Sequence, residues 1–263
     1  MRPLRIFTPV WGEKHISLFA KALVPSLAWP LNNAALKHAN WCIFAKPSEQ
    51  AKVLDIALRL LPQRQIEFIE CPEQAGGDDL TRVEILLYGA LHAMRKCVAD
   101  NAQMLMATPD FIFGEGSISA FLKVGSQPGT CVSVAHPRTL PTLLPKITET
   151  PLSNAQLIGL AMAHPHSSWT ACEVGRSEGG SFGSGLSWRR IAEKIIAVQH
   201  RMPSPYLVNL TEEDLKFFTT PKGHHRPVFG LWDHDWPSEL IKQERQRMIG
   251  SSDAAILIEV TDS

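Results

Sequence analysis

The sequence predicts an α/β fold, a mostly parallel central sheet with helices on both faces and an irregular C-terminal third. Short apolar runs alternate with amphipathic helical segments as far as residue 134, a pattern that requires right-handed crossovers between parallel strands. Asp110 stands just past the end of one apolar run, and open α/β sheets place ligands outside the carboxyl ends of their strands. With no composition break in 263 residues, we treat 1–263 as one domain.

The first half of the chain supplies the alternation. The apolar runs predicted as strands are 4–7, 41–45, 66–70, 103–106 and 130–134. Helical spacing of apolar residues predicts three helices. One covers 13–29, one begins after a Ser48 cap, and one runs from Asp78 towards the strand that ends at Met106. Pro25 is expected to kink or end the first of these helices. A short strand and a helix starting at Ser117 follow Asp110.

The second half is less regular. Ser153 is expected to cap a helix, 178–185 to form a Gly/Ser-rich loop, and 186–198 to be partly helical. The last elements that the sequence predicts are an extended segment over 203–208 and a closing strand over 255–260. The basic residues Lys242, Arg245 and Arg247 are interpreted as a solvated helix face.

Composition limits the classes of function. Net charge is zero and the pI is about 7.1, which disfavours a nucleic-acid or membrane partner. No apolar stretch is long enough to span a bilayer. The five cysteines are scattered, which predicts buried reduced thiols rather than disulfides or a zinc knuckle. We therefore expect a cytoplasmic protein.

The turn after the first strand is a candidate nucleoside site. Its sequence is Thr8-Pro9-Val10-Trp11-Gly12, and it offers backbone groups and a flat ring to a base and ribose. No Gly-rich dinucleotide fingerprint and no P-loop occurs in the sequence. The alternative is an ordinary strand-to-helix turn in which Trp11 anchors packing.

Asp110 is the candidate cation ligand. It ends the segment Thr108-Pro109-Asp110 and would present one carboxylate at a rigid strand end. Mg²⁺ and Mn²⁺ sites use one or two protein carboxylates together with substrate phosphate oxygens, so this position suits a cation that carries a diphosphate. The alternative is an Asp that serves a Pro-Asp turn.

Two further places carry ionisable groups. His200 follows an apolar run and is a better ligand candidate than the loop residues His224 and His225, although a satisfied histidine is the alternative. Asp233 and Asp235 stand between two tryptophans, whose partial desolvation of the carboxylates favours acid-base chemistry. A solvated acidic turn is the alternative there.

Five features of the sequence, taken together, resemble a known family. They are Thr8 to Gly12, Thr108-Pro109-Asp110, Ser117-Ile118, the region of His200 and Asp233-His234-Asp235. The family that they resemble is the glycosyltransferase A-type (nucleotide-diphospho-sugar transferase) superfamily. The resemblance implies a nucleotide-binding half over 1–140 and an acceptor or closing half over 141–263. It also implies Asp110 as metal ligand and His200 as a possible second ligand of Mn²⁺ or Mg²⁺. The sequence departs from the family's Asp-x-Asp motif, because Thr108 stands where the first Asp belongs.

The function implied is transfer of a sugar from a nucleoside diphosphate donor to an unidentified acceptor. Thr8 to Gly12, Thr108, Pro109 and Arg82 would hold the nucleotide, and Asp233 or Asp235 would act as acceptor base or stabilise the sugar cation. Two rivals stay open. One is a non-catalytic nucleotide-sugar-binding module of the same fold, and the other is a transferase that glycosylates modified bases in nucleic acid.

Overall fold

The structure, a computed structural model, describes most of the chain. The described residues are 2–73, 79–127, 129–174, 186–192, 195–200, 203–219 and 235–262, without the side chains of 79–83 and 195. Three sheets lie in this part of the chain.

The strands follow the predicted runs and add several. They are β1 Leu4–Pro9, β2 Asn40–Ala45, β3 Gln65–Glu70, β4 Gln103–Met106, β5 Phe111–Phe113, β6 Cys131–Val134, β7 Arg138–Thr139, β8 Leu186–Ala192, β9 Ile195–His200, β10 Leu207–Val208, β11 Gln246–Ile249 and β12 Leu257–Val260. The main sheet has the order β11-β6-β10-β4-β1-β2-β3. Every strand in it is parallel to β4 except β10, which runs antiparallel between β4 and β6. The predicted fold class is therefore confirmed.

The helices pack on both faces of this sheet. They are α1 Gly12–Leu18, α2 Val24–Ala28, α3 Pro30–Ala35, α4 Gln50–Leu60, α5 Asp79–Ala99, α6 Ser117–Val124, α7 Asn154–Ala163, α8 Ser167–Thr170, α9 Glu212–Thr219 and α10 Trp236–Lys242. One apolar cluster joins the sheet to α1, α4 and α6, and a second joins its other face to α5, α9 and α10. Alternate residues of each strand supply the two clusters, as the period of a strand requires.

A second, three-stranded sheet has the order β5-β12-β7. Strand β12 runs antiparallel to β5 and parallel to β7. Because β5 follows β4 after only four residues, this small sheet lies at the carboxyl end of β4. It brings the C-terminal strand to the place where ligand chemistry is expected.

The helix after β1 is longer than Pro25 suggests. A π-helical turn, Phe19–Leu23, precedes Pro25, and the chain continues helically to Ala28. Proline in a helix lacks an N–H and crowds the carbonyl four residues before it. A wider turn at that point relieves the crowding, so the proline neither ends the helix nor stops it from covering the sheet.

Two predictions of secondary structure are wrong. The segment 186–198 is not partly helical, because β8 and β9 form an antiparallel hairpin. Its Trp188 lies on the buried face of the hairpin and stacks on Trp169, with ring centroids 5.5 Å apart. Ser48 does not cap a helix through its hydroxyl, because that hydroxyl donates to Glu73. The helix begins after a 3₁₀ turn, Pro47–Glu49.

The sequence predicts Arg245 on a solvated helix face, and the structure shows that this is wrong. Arg245 precedes β11, and its guanidinium donates to both carboxylate oxygens of Asp214 at 2.8 and 2.7 Å. Only 4% of the Asp214 side chain and 17% of the Arg245 side chain are exposed. Trp236 donates to the same carboxylate through its indole N–H. This ion pair therefore joins α9, α10 and β11.

All five cysteines are buried and free, as expected from their spacing. Within the part of the chain that the structure describes, no helix combines the length and the apolar character needed to cross a membrane.

We predict that Arg245→Met lowers the free energy of unfolding by about 3–5 kcal/mol, because it leaves the Asp214 carboxylate buried without its cationic partner. Urea denaturation followed by circular dichroism measures the change. Arg247→Met is the matched control, since Arg247 is exposed and its hydrogen bonds within the described part of the chain go to backbone carbonyls. A loss below about 1 kcal/mol for Arg245→Met would show that the pair contributes little.

Candidate functional site

The backbone of Asp110 is fixed between the two sheets. The Ala107 N–H, just past β4, donates to the Phe7 carbonyl of β1 at 2.9 Å. Three residues later the Asp110 carbonyl accepts the Val260 N–H of β12 at 2.8 Å. The central strand of the main sheet and the C-terminal strand of the small one therefore both position this residue.

The carboxylate of Asp110 is buried, and one of its oxygens has no hydrogen-bond partner among the described residues. That oxygen is Oδ1. Burial, followed by the negative charge of Glu259, raises the pKa of Asp110 to about 6, and Thr108 and His136 offset only part of that shift.

Glu259 is the centre of a buried network beside Asp110. Its Oε2 accepts His136 Nε2 at 3.0 Å and Arg138 Nε at 3.0 Å. Burial alone would raise the pKa of Glu259, but His136 and Arg138 outweigh it and lower that pKa to about 2. The pKa values of Asp110 and Glu259 are thus shifted in opposite directions, a pattern that frequently marks functional sites.

Aromatic residues form one wall of this network. The Tyr206 hydroxyl lies 2.7 Å from His136 Nδ1. The Tyr206 ring meets Phe111 edge-on, with centroids 5.4 Å apart. Because His136 is in contact with Glu259 on one side and Tyr206 on the other, its ring is held in one orientation.

His200 lies close to the same group of charges. Both of its ring nitrogens are buried and have no partner in the described part of the chain. Burial first, and then His136 and Arg138, lower the pKa of His200 to about 4. The imidazole is therefore neutral at neutral pH, which is the form that binds metals and accepts protons.

The site is reached by solvent from the side of Arg138. The Arg138 side chain is 40% exposed, whereas Glu259 and His136 are 18% and 12% exposed. A separate surface cavity of about 610 Å³ lies between α1, α2 and residues 141–147. None of the network residues lines it.

The donor atoms suit a cation held largely by a substrate. Among the described residues, no three His, Cys, Asp or Glu side chains converge as a metal cage. Asp110 Oδ1 is nevertheless an orphaned buried oxygen, and Mg²⁺ or Mn²⁺ needs only one or two carboxylates when phosphates complete its shell. Asp110 fits such a group, and the role of His200 as second ligand stays a prediction.

The turn after β1 is mostly built into the core. Thr8 is fully buried, and its hydroxyl accepts the Trp41 indole N–H at 2.8 Å. Pro9 and Val10 are buried as well. Trp11 and Gly12 are half-buried, so they are the part of the predicted nucleoside site that reaches the surface.

Trp11 and Gly12 already have partners in the protein. The Trp11 ring packs edge-on against Phe44, with centroids 5.6 Å apart. Gly12 has a φ of +78°, which favours glycine. Its N–H donates to both carboxylate oxygens of Glu49 at 3.0 and 3.1 Å. Glu49 therefore occupies the N–H that opens α1.

The remaining predicted residues are scattered. Pro109 is buried beside Asp110. Arg82 belongs to the first turn of α5, but its side chain lies outside the described residues, as does all of Asp233. Asp235 precedes α10, whose first residue, Trp236, is anchored on the α5 face of the sheet. An acid-base role for Asp233 or Asp235 stays a prediction.

Sequence reasoning missed four residues of the network: His136, Arg138, Tyr206 and Glu259. His136 comes two residues after β6, so the strand-end rule that selected Asp110 also applies to it. Glu259 gave no comparable signal, because it lies inside an apolar closing strand.

The comparisons with known proteins show similar folds at low identity. No protein-family model matches the sequence, and no curated protein matches it significantly. Solved structures that resemble it include a protein described as a glucose-1-phosphate thymidylyltransferase from Bacillus anthracis in complex with sucrose, at 11% identity and a TM-score of 0.48, covering 97% of this chain and 89% of that one. A nucleotide-diphospho-sugar transferase from Desulfovibrio desulfuricans G20 shows 12% identity and a TM-score of 0.41, covering 100% of this chain and 83% of that one.

A third similar structure is the mannosyltransferase PcManGT from Pyrobaculum calidifontis in complex with GDP-Man and Mn²⁺. It shows 12% identity and a TM-score of 0.47, and it covers 99% of this chain, which spans only 57% of that protein's length. The descriptions of these three structures are those of nucleotidyl or sugar transferases. Similarity at this level carries no information on the activity of this chain.

We predict that Asp110→Asn stabilises the metal-free protein above pH 6. A carboxyl group with a raised pKa binds its proton more tightly in the folded state, so its ionised form subtracts from stability at higher pH. A shift of the pKa from 3.8 to about 6 corresponds to about 3 kcal/mol. The effect should be largest near pH 8 and shrink to a small fraction by pH 4, which is close to the ordinary pKa of 3.8.

Denaturation at pH 4 and pH 8 in EDTA measures this difference. Asp55→Asn is the control, because Asp55 is exposed on α4 and, among the described residues, forms an ion pair with Arg59 alone. Destabilisation by Asp110→Asn at both pH values would mean that the carboxylate supports the fold.

Proposed function

We propose that this protein is a glycosyltransferase that moves a sugar from a nucleoside diphosphate donor to an acceptor, assisted by Mn²⁺ or Mg²⁺. The observation that carries the proposal is the orphaned, buried carboxylate oxygen of Asp110 at the carboxyl end of the central strand β4. Such a group destabilises the free protein, and a cation-bound diphosphate would remove that cost.

The sheet order supports the same proposal. Strands β3-β2-β1-β4 are parallel neighbours, and the direction of winding changes between β1 and β4. In such sheets, ligands lie in the crevice where the winding reverses. Trp11 and Gly12 follow β1 and Asp110 follows β4, so they flank that crevice from its two sides.

Each residue has a proposed part in the transfer. Trp11 and Gly12 would bind the nucleoside, with Arg82, Thr108 and Pro109 beside the phosphates. Asp110 would hold the cation, which when bound neutralises the charge of the departing diphosphate. The terminal N–H groups of Arg138 have no described partner and would orient the same phosphates. Catalysis of this kind consists mainly of positioning and charge stabilisation.

The first test is donor binding and turnover. Nucleoside diphosphates are screened by thermal shift with and without Mn²⁺, since a ligand at 100 times its Kd stabilises a protein by about 2.7 kcal/mol. We expect one of them to raise the Tm, and more so with Mn²⁺. The matching nucleotide sugar is then incubated without acceptor, and its products are analysed by chromatography.

The products separate the candidate activities. Slow release of nucleoside diphosphate and free sugar supports a glycosyltransferase. Cleavage to nucleoside monophosphate and sugar phosphate indicates nucleotidyl transfer instead, and intact donor after binding indicates a non-catalytic module. Absence of binding by every nucleotide would remove the proposal.

We predict that Asp110→Asn weakens Mn²⁺-dependent binding of the nucleoside diphosphate at least tenfold, because the amide keeps the size but not the charge that a hard cation requires. Calorimetric titration of wild type and variant measures the loss, and Asp55→Asn should bind as wild type does. Equal affinity in all three proteins would retire Asp110 as a cation ligand.

A further inference from the structure

The small sheet has a second face, which is turned away from the candidate site. Because side chains alternate along a strand, Ile112 and Ile258 lie on the face opposite to Glu259. They belong to an apolar cluster with Leu18 and Ile147, and these two residues also line the surface cavity of about 610 Å³. The cavity therefore lies behind the small sheet and is separate from the candidate site.

The floor of this cavity is apolar and largely buried. Leu18 and Ile147 are only 8% and 6% exposed, and Pro25 is buried as well. The other apolar residues that line the cavity are Ala20, Pro141, Leu144 and Pro145. The fixed φ angles of the prolines keep these walls preformed. The volume also lies in the range of small-molecule sites, about 300–1,000 Å³.

The polar residues of the cavity form a rim with a net positive charge. They are Lys14, Ser17 and Lys21 from the helical segment after β1, and Asp262 from the C-terminal end of the described chain. Lys14 Nζ lies 2.6 Å from a carboxylate oxygen of Asp262. In the part of the chain that the structure describes, the Lys21 ammonium and the Ser17 hydroxyl have no partner. A cation and a hydroxyl donor are therefore left at the edge of an apolar floor.

We propose that this cavity binds an amphipathic anion. The apolar body of the ligand covers Leu18, Leu144 and Ile147, and its carboxylate or phosphate head group binds Lys21 and Ser17. Charge complementarity selects an anion, since Lys21 is the lining charge without a described counter-ion. Burial of the apolar body supplies affinity in proportion to the area removed from water, and the charged hydrogen bond fixes the direction of the ligand. This site goes beyond the proposed function and does not depend on it.

The alternative is an ordinary surface groove. Lysine side chains often cover apolar surface with their methylene groups while their ammonium groups stay in water. Lys14 and Lys21 would then serve no ligand, and an apolar molecule would bind equally well whatever its charge. The two readings therefore differ in how affinity responds to the charge of the ligand and to the charge of the rim.

Decanoate and decyl phosphate are the probes, and decanol is the uncharged comparison with the same chain. Each is titrated calorimetrically into the full chain, below the concentration at which it forms micelles. We expect one molecule of either anion to bind per chain, and decanol to bind about fivefold more weakly because it lacks the charge. Comparison of the two anions tells which head group the site prefers.

Charge variants of the rim test the assignment of the head group. Lys21→Met should raise the Kd of the anions about fivefold and leave that of decanol unchanged. Asp262→Asn should lower the Kd of the anions, because it removes a negative charge and frees Lys14. Lys123→Met is the matched control, since Lys123 is exposed on α6 and does not line the cavity.

A filling variant tests the location of the site. Ala20→Trp places a large apolar side chain in the cavity and should abolish measurable binding of both anions. The Tm of each variant is the folding control, and Ser17→Leu, which fills the same space, replaces Ala20→Trp if that variant does not fold. Absence of binding by both anions, equal affinity for decanol, or an anion affinity that Lys21→Met and Ala20→Trp leave unchanged would overturn the inference.

Discussion

A buried charge without a full set of partners governs the candidate site. Asp110 is carried into the protein interior by β4, the strand with neighbours on both sides at the centre of the main sheet. Because water cannot reach Oδ1 and no described group replaces it, the carboxylate costs stability in the free protein. Proteins retain such costs mainly where a ligand relieves them. The positions of the neighbouring charged groups follow from this constraint.

The charges around Asp110 come from segments that are distant in sequence. His136 follows β6, Arg138 lies in β7, and Glu259 lies in β12. They meet because β12 runs between β5 and β7 and so returns the C-terminal segment to the end of β4. Glu259 accepts from both basic residues, which stabilises its ionised form next to a second carboxyl group. The network therefore maintains two neighbouring carboxyl groups with different proton affinities.

The protein separates its structural ion pair from its candidate site. The bidentate pair of Asp214 with Arg245 is satisfied on every side, with additional hydrogen bonds from Trp236 and Thr211. Asp110, by contrast, has one oxygen without a described partner. Both carboxylates are removed from water, so burial alone does not distinguish them. What distinguishes them is hydrogen bonding, which is complete where charge serves stability and incomplete where a ligand is expected.

The sequence by itself determined most of the strands and helices up to residue 134 and the place of Asp110, because hydrophobic period and strand ends are local properties. It missed the short helix α3. It did not reveal the hairpin around Trp188, since a two-residue alternation over a short segment also fits part of a helix. It also gave no sign of Glu259 as a site residue or of Arg245 as a buried partner. Only the tertiary structure decided these roles. The position of Glu259 depends on strand pairing with a segment more than a hundred residues away, and Arg245 meets Asp214 across 31 residues through side-chain hydrogen bonds. No local pattern encodes either contact.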